Sequence, residues 1–522
     1  MRQEIELKLT PKQASSEELY KPIIAKMLKI EEKSITYLRI LRKSIDARKG
    51  NVVVNLQMLV VYSEPTPKHS EFEPHFDFPD VHQRQRVIVV GSGPAGLFAA
   101  LRLIELNLKP IVIERGKQVQ ERKCDIDLLE NNEKMTPESN YCFGEGGAGT
   151  FSDGKLYTRS HKRGNVDKIF KLLRFHGANE EIMYDSHPHI GTDKLPEIIV
   201  NIRKTIEKAG GEVHFNTKVT DFIIENEKIK GVVCGNKEFL GEAVILATGH
   251  SARDIYELLH QKQVLLEAKG FAVGIRIEHP QELIDAIQYN STSSNKYLPA
   301  ASYKLVTQIE GRGVYSFCMC PGGYIVPAAT GEKEIVVNGM SPSERNSPFA
   351  NSGIVVEVRY EDLTDYHQYG ALAGLRFQQY IENLAFNNGG HGLEAPAQRM
   401  HDFVNGKLTP TLPEVSYKPG IVSSPIHFWL PEIISSRLQK AFEVFGKTMN
   451  GYLTNEAVVL GVESRTSTPV KIPRHPETLQ HVQISGLYPC GEGAGYAGGI
   501  ASSALDGERC ASMIALWLRN KL

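Results

Sequence analysis

The pattern of apolar and polar residues predicts a strand, a tight turn and a helix close to residue 90. Val87 to Val90 is an unbroken β-branched run, which is typical of a strand buried on both faces. Apolar residues then recur at helical spacing between Leu97 and Ile104, and a second short strand is predicted from Pro110 to Ile113. This succession is typical of a βαβ unit in a parallel sheet.

The first 63 residues predict a separate small module. Their apolar positions alternate in three runs, and a capping box begins a helix between the first two. The predicted elements are a strand at 4–9, a helix from Ser15 and Glu18 to about Leu28, and strands at 35–45 and 52–62. We interpret residues 1–63 as a βαββ-type α+β module and residues 64–85, which are rich in Pro, His and acidic residues, as a linker.

The βα rhythm continues to about residue 264, stops, and returns near the end of the chain. Residues 196–209 predict an amphipathic helix, residues 243–249 a strand with a glycine turn, and residues 486–509 a strand, a glycine turn and a helix. The intervening predicted elements are strands at 270–277, 315–320, 323–327, 335–339 and 353–358 and helices near 370–384 and 433–445. We therefore predict a nucleotide domain at 86–264 and 455–522, interrupted by an α+β domain at 265–454 that covers the ligand.

Composition excludes several classes of protein. The chain has 60 Lys and Arg residues against 61 Asp and Glu residues, so no global field attracts nucleic acid or membrane. No apolar run is long enough to span a bilayer, and the polar N-terminal residues do not form a signal peptide, so a cytoplasmic location is expected. The seven cysteines include no C-x-x-C pair, which argues for reduced thiols and against a disulfide framework or a structural metal.

Three glycines after the first strand predict a dinucleotide site. Gly91, Gly93 and Gly96 have G-x-G-x-x-G spacing, which permits a tight turn, close approach of a pyrophosphate and close packing of helix on strand. The free N–H groups of the following helix would face the phosphates. Glu114 ends the second strand, where a carboxylate accepts hydrogen bonds from ribose hydroxyls and repels a 2′-phosphate.

A second glycine-rich stretch follows at Tyr141 to Leu156. Five glycines lie between Gly144 and Gly154, so no regular element can form, and the backbone can approach a flat or charged ligand. The alternative interpretation is a flexible surface loop. Because the stretch follows closely after the nucleotide turn in the chain, contact with the ligand is the favoured interpretation.

Four segments resemble a family of uncharacterised FAD-dependent dehydrogenases within the two-dinucleotide-binding flavoproteins. They are Phe143–Leu156, Gly249–Asp254, Gly461–Ser467 and, in the N-terminal module, Leu41–Arg48. The resemblance implies an α/β fold: a Rossmann-like FAD-binding domain with an inserted α+β substrate domain and a small N-terminal ferredoxin-like domain. The resemblance covers nearly the whole chain and says almost nothing about the substrate.

The same resemblance implies the roles of individual residues. Val219 would contact adenine through its backbone, Glu492 would bind the ribityl or phosphate end, and Gly499 and Ile500 would place a helix N-terminus at the flavin N1/C2=O position. The residues expected to bind FAD are Gly91, Ser92, Gly93, Pro94, Ala95, Gly96, Glu114, Arg115, Gly146, Gly147, Val219, Ala247, Thr248, Gly249, Gly491, Glu492, Gly498, Gly499 and Ile500.

The leading hypothesis is an FAD-dependent oxidoreductase that moves a hydride between flavin N5 and a small organic substrate under the inserted domain. His250, Arg253, Lys155 and Arg465 are the candidate catalytic residues, because they follow or adjoin the glycine segments and could hold an anion. Residues 265–455 contain no second G-x-G-x-x-G unit. NADH or NADPH, if it is the donor, must therefore dock transiently.

Two other functions stay open. Cys142 and the Cys318-x-Cys320 pair suggest a thiol–disulfide reductase, although the C-x-x-x-x-C pair expected in that class is missing. Residues 1–62 carry 12 Lys or Arg against 7 Asp or Glu, including the group Arg39, Arg42, Lys43, Arg48 and Lys49, which suggests an RNA-associated or partner-binding flavoprotein. Neutral net charge argues against nucleic acid, and a solvated charged face is the simpler interpretation.

Overall fold

The computed structural model describes residues 1–48, 51–68, 72–158, 164–290 and 296–520. Its N-terminal module consists of β1 (Arg2–Leu9), α1 (Glu17–Leu28), β2 (Ile35–Asp46) and β3 (Val53–Tyr62). The strands form an antiparallel sheet in the order β1-β3-β2. This confirms the predicted βαββ order. A ferredoxin-like fold has four strands and two helices, so that name is not confirmed by the three strands and one helix of the described N-terminal residues.

The N-terminal module is joined to the rest of the chain through β2. Lys43 N donates to Tyr184 O at 2.8 Å, and Ser186 N donates to Lys43 O at 3.0 Å. The Arg39 guanidinium lies 3.2 Å from the Glu180 carboxylate. Two residues of the predicted basic group therefore contact the nucleotide domain of the same chain. Lys49, another member of that group, lies outside the described residues.

The elements of the first part of the nucleotide domain follow in chain order. They are β4 (Arg86–Val90), α2 (Pro94–Glu105), β5 (Lys109–Ile113), α3 (Val119–Glu130), α4 (Val166–Phe175), α5 (Leu195–Lys208), β6 (Glu212–His214), β7 (Asp221–Glu225), β8 (Lys228–Cys234), β9 (Lys237–Leu240), β10 (Ala243–Leu246) and α6 (Arg253–Gln261).

The elements of the inserted domain and of the returning chain complete the order. They are β11 (Glu267–Ala268), β12 (Phe271–Pro280), α7 (Gln281–Tyr289), β13 (Val306–Ile309), β14 (Arg312–Cys320), β15 (Tyr324–Pro327), β16 (Val337–Met340), β17 (Phe349–Val358), α8 (Ala373–Asn387), β18 (Ala395–Arg399), α9 (Met400–Val404), β19 (Ile421–Ser423), α10 (Ile426–Trp429), α11 (Glu432–Thr448), β20 (Val458–Glu463), β21 (Val470–Lys471), β22 (Leu487–Pro489) and α12 (Ile500–Arg519). Short 3₁₀ segments lie at Gln13–Ser15, Glu32–Ser34, Gly147–Gly149, Glu180–Met183, Tyr360–Asp362 and Thr364–Leu372.

A five-stranded parallel sheet in the order β22-β10-β4-β5-β6 forms the centre of the nucleotide domain. Val87 and Val89 belong to the core that includes α2 and α12, whereas Ile88 and Val90 belong to the core that includes the antiparallel β7–β9 sheet. The predicted burial of this strand on both faces is thus confirmed. Since β10, β4 and β22 are parallel neighbours, the turns that follow them meet at one edge of the sheet, where ligands bind in such folds.

The inserted domain, called the cap below, is built on a seven-stranded sheet in the order β13-β14-β17-β12-β20-β18-β19. Strand β20 pairs with β12 on one side and β18 on the other. The chain therefore leaves the cap after Glu463, and the predicted boundary at residue 455 is corrected. An apolar run such as Val458–Leu460 is compatible with a strand in either the parallel sheet or the cap sheet. The pattern of apolar residues therefore does not show which sheet the strand belongs to. Within the described residues, no helix has the length and apolar character needed to cross a membrane.

Candidate active site

The turn between β4 and α2 has the geometry that its glycines predict. Gly91 has φ of +103°, and a Cβ there would lie 2.4 Å from Ala247 O. A Cβ on Gly96 would lie 1.9 Å from Gly91 O, so neither position tolerates a side chain. Gly93 is the N-cap of α2, and a Cβ there would meet only Gly147 Cα at 3.9 Å. The backbone at the α2 N-terminus is thus left open to a ligand.

A cavity of about 450 Å³ lies between this turn and the cap. Its volume is within the usual range of small-molecule and cofactor sites. Gly249, Gly498 and Gly499 line it, and a Cβ at any of the three would have no protein atom within 4 Å. Two separate backbone segments therefore border open space instead of packing on neighbours, as a site for a large flat ligand requires.

Glu114 lines the cavity and is only 5% exposed. Its Oε2 accepts hydrogen bonds from Ser92 N at 3.0 Å and Ser92 Oγ at 2.8 Å. Its Oε1 accepts from Gly116 N at 2.9 Å and Gly144 N at 3.0 Å. Four donors from three segments therefore hold this carboxylate rigidly at the end of β5.

The second glycine-rich stretch lies against the nucleotide turn and is not a surface loop. Arg122 of α3 is fully buried and donates to the carbonyls of Asn140, Tyr141 and Glu145 at 2.8, 3.1 and 2.7 Å. Burial lowers the pKa of Arg122 to about 10, so it remains charged at neutral pH. A Cβ on Gly147 would lie 3.0 Å from Gly93 Cα. The glycine-rich stretch therefore lies beside the α2 N-terminus, and both border the cavity.

Most of the predicted FAD-binding residues line the cavity. The other four lie behind the lining and contact residues that belong to it or to the same turns. Those lining it are Gly91, Gly93, Pro94, Ala95, Glu114, Arg115, Gly147, Val219, Ala247, Thr248, Gly249, Glu492, Gly498, Gly499 and Ile500. The cavity lining does not include Ser92, Gly96, Gly146 and Gly491. Ser92 holds Glu114, and a Cβ on Gly491 would lie 2.9 Å from Ala95 Cβ. These four positions therefore shape the turns without facing the ligand.

Three of the four predicted catalytic residues, His250, Lys155 and Arg465, line the cavity. His250 Nδ1 lies 3.6 Å from Glu492 Oε2. Lys155 Nζ lies 3.0 Å from Asp153 Oδ2 and 3.5 Å from Cys320 Sγ. Burial opposes the charged form of Lys155, but the Cys320 sulfur and the Asp153 carboxylate outweigh it and raise the pKa of this ammonium group. Lys155 is therefore a fixed positive charge.

Arg253 and Arg465 are bound to a fully buried glutamate. Arg253 donates to both Glu382 oxygens at 2.7 Å, and Arg465 contacts them at 3.1 and 3.0 Å. Burial opposes ionisation of Glu382, but the two guanidinium groups hold its pKa well below the ordinary value. Arg465 lines the cavity whereas Arg253 does not. This geometry favours structural attachment of the cap to α6 over the catalytic role predicted for Arg253.

The cap forms a cavity wall, as the sequence predicted for the inserted domain, but the sequence did not identify the residues of that wall. They are Phe317, Cys318, Ala328, Val336, Val337, Asn338, Gly339, Met340 and Glu463. Glu463 Oε2 accepts from Arg276 NH1 at 2.6 Å, and both side chains are buried. Glu463 lies inside the Gly461–Ser467 segment that carries the resemblance, which is the one sequence signal that pointed to this position.

All seven cysteines are free, as expected for reduced thiols. Cys142 is half-buried and lines the cavity, and its Sγ lies 3.6 Å from Ala328 O. Among the described residues, Cys490, Asp506 and Cys510 form one cluster with ligand atoms within 4.8 Å of each other. Arg474 donates to both Asp506 oxygens at 2.9 and 2.6 Å, so a guanidinium already supplies the positive charge at this cluster.

Comparison with known protein families divides the chain as the fold does. Residues 85–258 match the family described as pyridine nucleotide-disulphide oxidoreductase. Residues 270–466 match the family described as FAD-dependent protein, C-terminal domain-like, which agrees with the end of the cap after β20. Residues 1–61 match a domain of unknown function.

Individual relatives extend over most of the chain. An uncharacterised protein of Clostridium beijerinckii is 41% identical over 511 residues, which are 94% of each chain. Glycine oxidase from Bacillus cereus has a TM-score of 0.32 and 13% identity and covers 84% of this chain and 96% of its own. The structure of CtdE with FAD and its substrate has a TM-score of 0.34 and 11% identity, covering 83% and 80%. At these TM-scores no substrate is inferred from either structure.

Proposed function

We propose that this chain, which belongs to a family of uncharacterised FAD-dependent oxidoreductases, moves a hydride between flavin N5 and an organic substrate bound beneath the cap. The observation that carries the proposal is the cavity, whose lining extends from the α2 turn to the cap strands. FAD would supply a two-electron acceptor at N5 when bound. The protein would supply binding, orientation and proton transfer.

Residues from three turns would hold the cofactor. The α2 N-terminus after Gly93 offers free backbone N–H groups to the pyrophosphate. The rigid Glu114 carboxylate would accept from the ribose hydroxyls, and Val219 would contact adenine. The α12 N-terminus at Gly499 lies on the same cavity and would direct its positive end at the flavin ring.

The cap would exclude water from the reacting atoms and hold the substrate. Its wall is mostly apolar, and its polar members are Asn338, Cys318 and Glu463, of which Cys318 interacts with Lys155. A dry site strengthens each of these polar contacts because the local dielectric is low. Lys155 would attract electron density on the substrate, and His250 would contact its opposite end near Glu492.

The electron donor and the cell compartment remain predictions. The cap sheet is antiparallel except for the β18–β19 pair, and the chain between those two strands contains only the five-residue helix α9 and no G-x-G-x-x-G turn for a nicotinamide. NADH or NADPH would therefore dock transiently, or the substrate itself would reduce FAD. A thiol–disulfide reductase is disfavoured, because all seven cysteines are free and none of them form the C-x-x-x-x-C pair expected in that class.

The test is the spectrum of the purified full-length chain, followed by anaerobic mixing with NADH, NADPH and a panel of metabolites. We expect a yellow protein whose flavin absorbance is bleached by at least one compound under anaerobic conditions. A colourless protein that does not retain added FAD would contradict the cofactor site. A flavin that no compound bleaches would contradict hydride transfer.

A further inference from the structure

The cavity wall contains a buried carboxylate with one oxygen unused. Glu463 is 2% exposed and lines the cavity at the end of β20. Its Oε2 accepts from Arg276 NH1 at 2.6 Å. Among the described residues no group donates to Oε1, and Oε1 is not among the fully enclosed polar atoms. This oxygen therefore opens on the cavity and has no partner in the protein.

Arg276 holds this carboxylate in place. It is fully buried on β12 and also donates to Asn351 Oδ1 at 2.8 Å and to Cys318 O at 2.8 Å. A guanidinium held by three groups cannot rotate to engage the second oxygen of Glu463. We assign Arg276 as a positioning residue that fixes which Glu463 oxygen faces the cavity.

The charges around Glu463 decide what the free oxygen can bind. Arg276 of β12, His250 after β10 and the Cys318 thiol of β14 interact with Glu463, and Cys318 also interacts with Cys320 and Lys155. Arg276 already neutralises Glu463 and is held by its other partners. A neutral hydrogen-bond donor therefore fits Oε1 without adding a further buried charge to this pair.

We propose that Glu463 is the proton acceptor for a substrate that carries a neutral hydroxyl or amine on the carbon from which the hydride leaves. This inference rests on the proposed function. The C–H bond breaks and its electron pair leaves with the hydride to FAD, which is the oxidant. The O–H or N–H bond gives its proton to Glu463 Oε1, and a C=O or C=N bond forms, so atoms and charge balance.

Burial supports the basic character that this role needs. It raises the pKa of Glu463, and the Arg276 guanidinium opposes that rise only in part. A carboxylate with a raised pKa accepts a proton more readily than an exposed one. A substrate without a hydroxyl or amine would leave Oε1 unpaired inside the cavity, which costs binding energy.

Glu463→Gln tests the proposal, with Glu278→Gln as the matched control. Glu278 is also 2% exposed, lies two residues beyond Arg276 on β12 and binds Ser416, but it does not line the cavity. Both variants and wild type would be compared for FAD content and then mixed anaerobically with secondary alcohols, primary amines and saturated fatty acids. Glu463→Asp keeps the charge and serves as a second variant if Gln fails to fold.

We expect alcohols or amines to bleach the flavin of wild type and Glu278→Gln at a rate that rises with pH through one ionisation. Glu463→Gln should retain FAD, bleach about 10²- to 10⁴-fold more slowly and lose the pH rise. Glu463→Asp should be slower but keep the pH rise. Infrared difference titration of the apoprotein gives a readout without activity: one carboxyl signal should disappear in Glu463→Gln and a different one in Glu278→Gln.

The outcomes separate the two proposals. Bleaching of wild type only by compounds without a hydroxyl or amine would support hydride transfer and overturn the role of Glu463. A Glu463→Gln rate within tenfold of wild type with the same pH profile would overturn it as well. Absence of bleaching by every class in wild type would instead contradict the proposed function.

Discussion

Replacing Glu382 by Gln should weaken the attachment of the cap to the nucleotide domain. Glu382 lies on α8 of the cap, is fully buried, and accepts five hydrogen bonds, two from Arg253, two from Arg465 and one from Ser464 Oγ. Glutamine keeps the shape but removes the charge and turns one acceptor into a donor. The amide nitrogen would then face the N–H groups of a guanidinium.

The size of the effect follows from the charges that remain. Glu334 contacts Arg465 at 2.7 Å and Arg253 at 3.3 Å, so one partly exposed carboxylate would face two buried guanidinium groups. Breaking a buried ion pair by removing one partner costs about 3–5 kcal/mol. We expect the free energy of unfolding of Glu382→Gln to fall by an amount in that range.

The assay is urea unfolding followed by tryptophan fluorescence and by release of FAD, with Glu310→Gln as the control. Glu310 also pairs with two cations, Lys440 and Arg437, but is 49% exposed. The control should lose much less stability than Glu382→Gln, because exposed ion pairs contribute little. An equal, small loss in both variants would refute the buried-cluster reasoning. Replacing Arg253 and Glu382 together by Met should recover most of the stability.

Three further predictions concern the cofactor site and acid stability. Gly498→Val should fold normally but retain little FAD after gel filtration, because the valine side chain would enter the cavity. The control Gly270→Val, which is outside the cavity lining, should retain FAD. Equal FAD content in the two variants would contradict the cofactor site. Glu114→Gln should also lose FAD in the same assay, because the glutamine side-chain NH2 group would face backbone N–H donors. Full retention of FAD would mean that Glu114 does not bind the ribose. Burial lowers the pKa of His279 from 6.5 to about 4, so the folded state binds the proton less readily than the unfolded chain. The contribution of His279 to stability should therefore be complete above pH 6.5 and be lost towards pH 4, by roughly 3 kcal/mol in total at about 1.4 kcal/mol per unit. Unfolding titrations over this range should show a steeper slope for wild type than for His279→Gln.

Features that depend on neighbouring residues could be predicted from the sequence. The strand predicted at 87–90 is found at Arg86–Val90, and the helix predicted at 433–445 is found at Glu432–Thr448. Glycine spacing gave the nucleotide turn for the same reason, since each glycine acts on backbone within a few residues or on an adjacent strand. Local patterns therefore predicted the elements and the cofactor half of the site.

Features that join distant parts of the chain could not be predicted in this way. Arg276 and Glu463 are 187 residues apart, and Arg253 and Glu382 are 129 apart. Nothing in the spacing of either arginine shows which carboxylate it meets. The boundary error at residue 455 has the same origin, because β20 is assigned to the cap only through its pairing with β12.

The two clusters also show why residue type alone does not distinguish a charge that can bind substrate from a charge that the protein already neutralises. Arg253 follows a glycine turn at the edge of the parallel sheet, so a positive charge there was expected to bind substrate, yet Glu382 already occupies its donors. Glu382 and Glu463 are both buried glutamates held by arginine, but all of the described contacts of Glu382 are made to the protein, whereas one oxygen of Glu463 has none. A buried polar atom without a partner is costly unless a ligand completes it. In this fold, chemistry is therefore to be sought at Glu463, where hydrogen bonding is incomplete, rather than at Arg253, where it is complete.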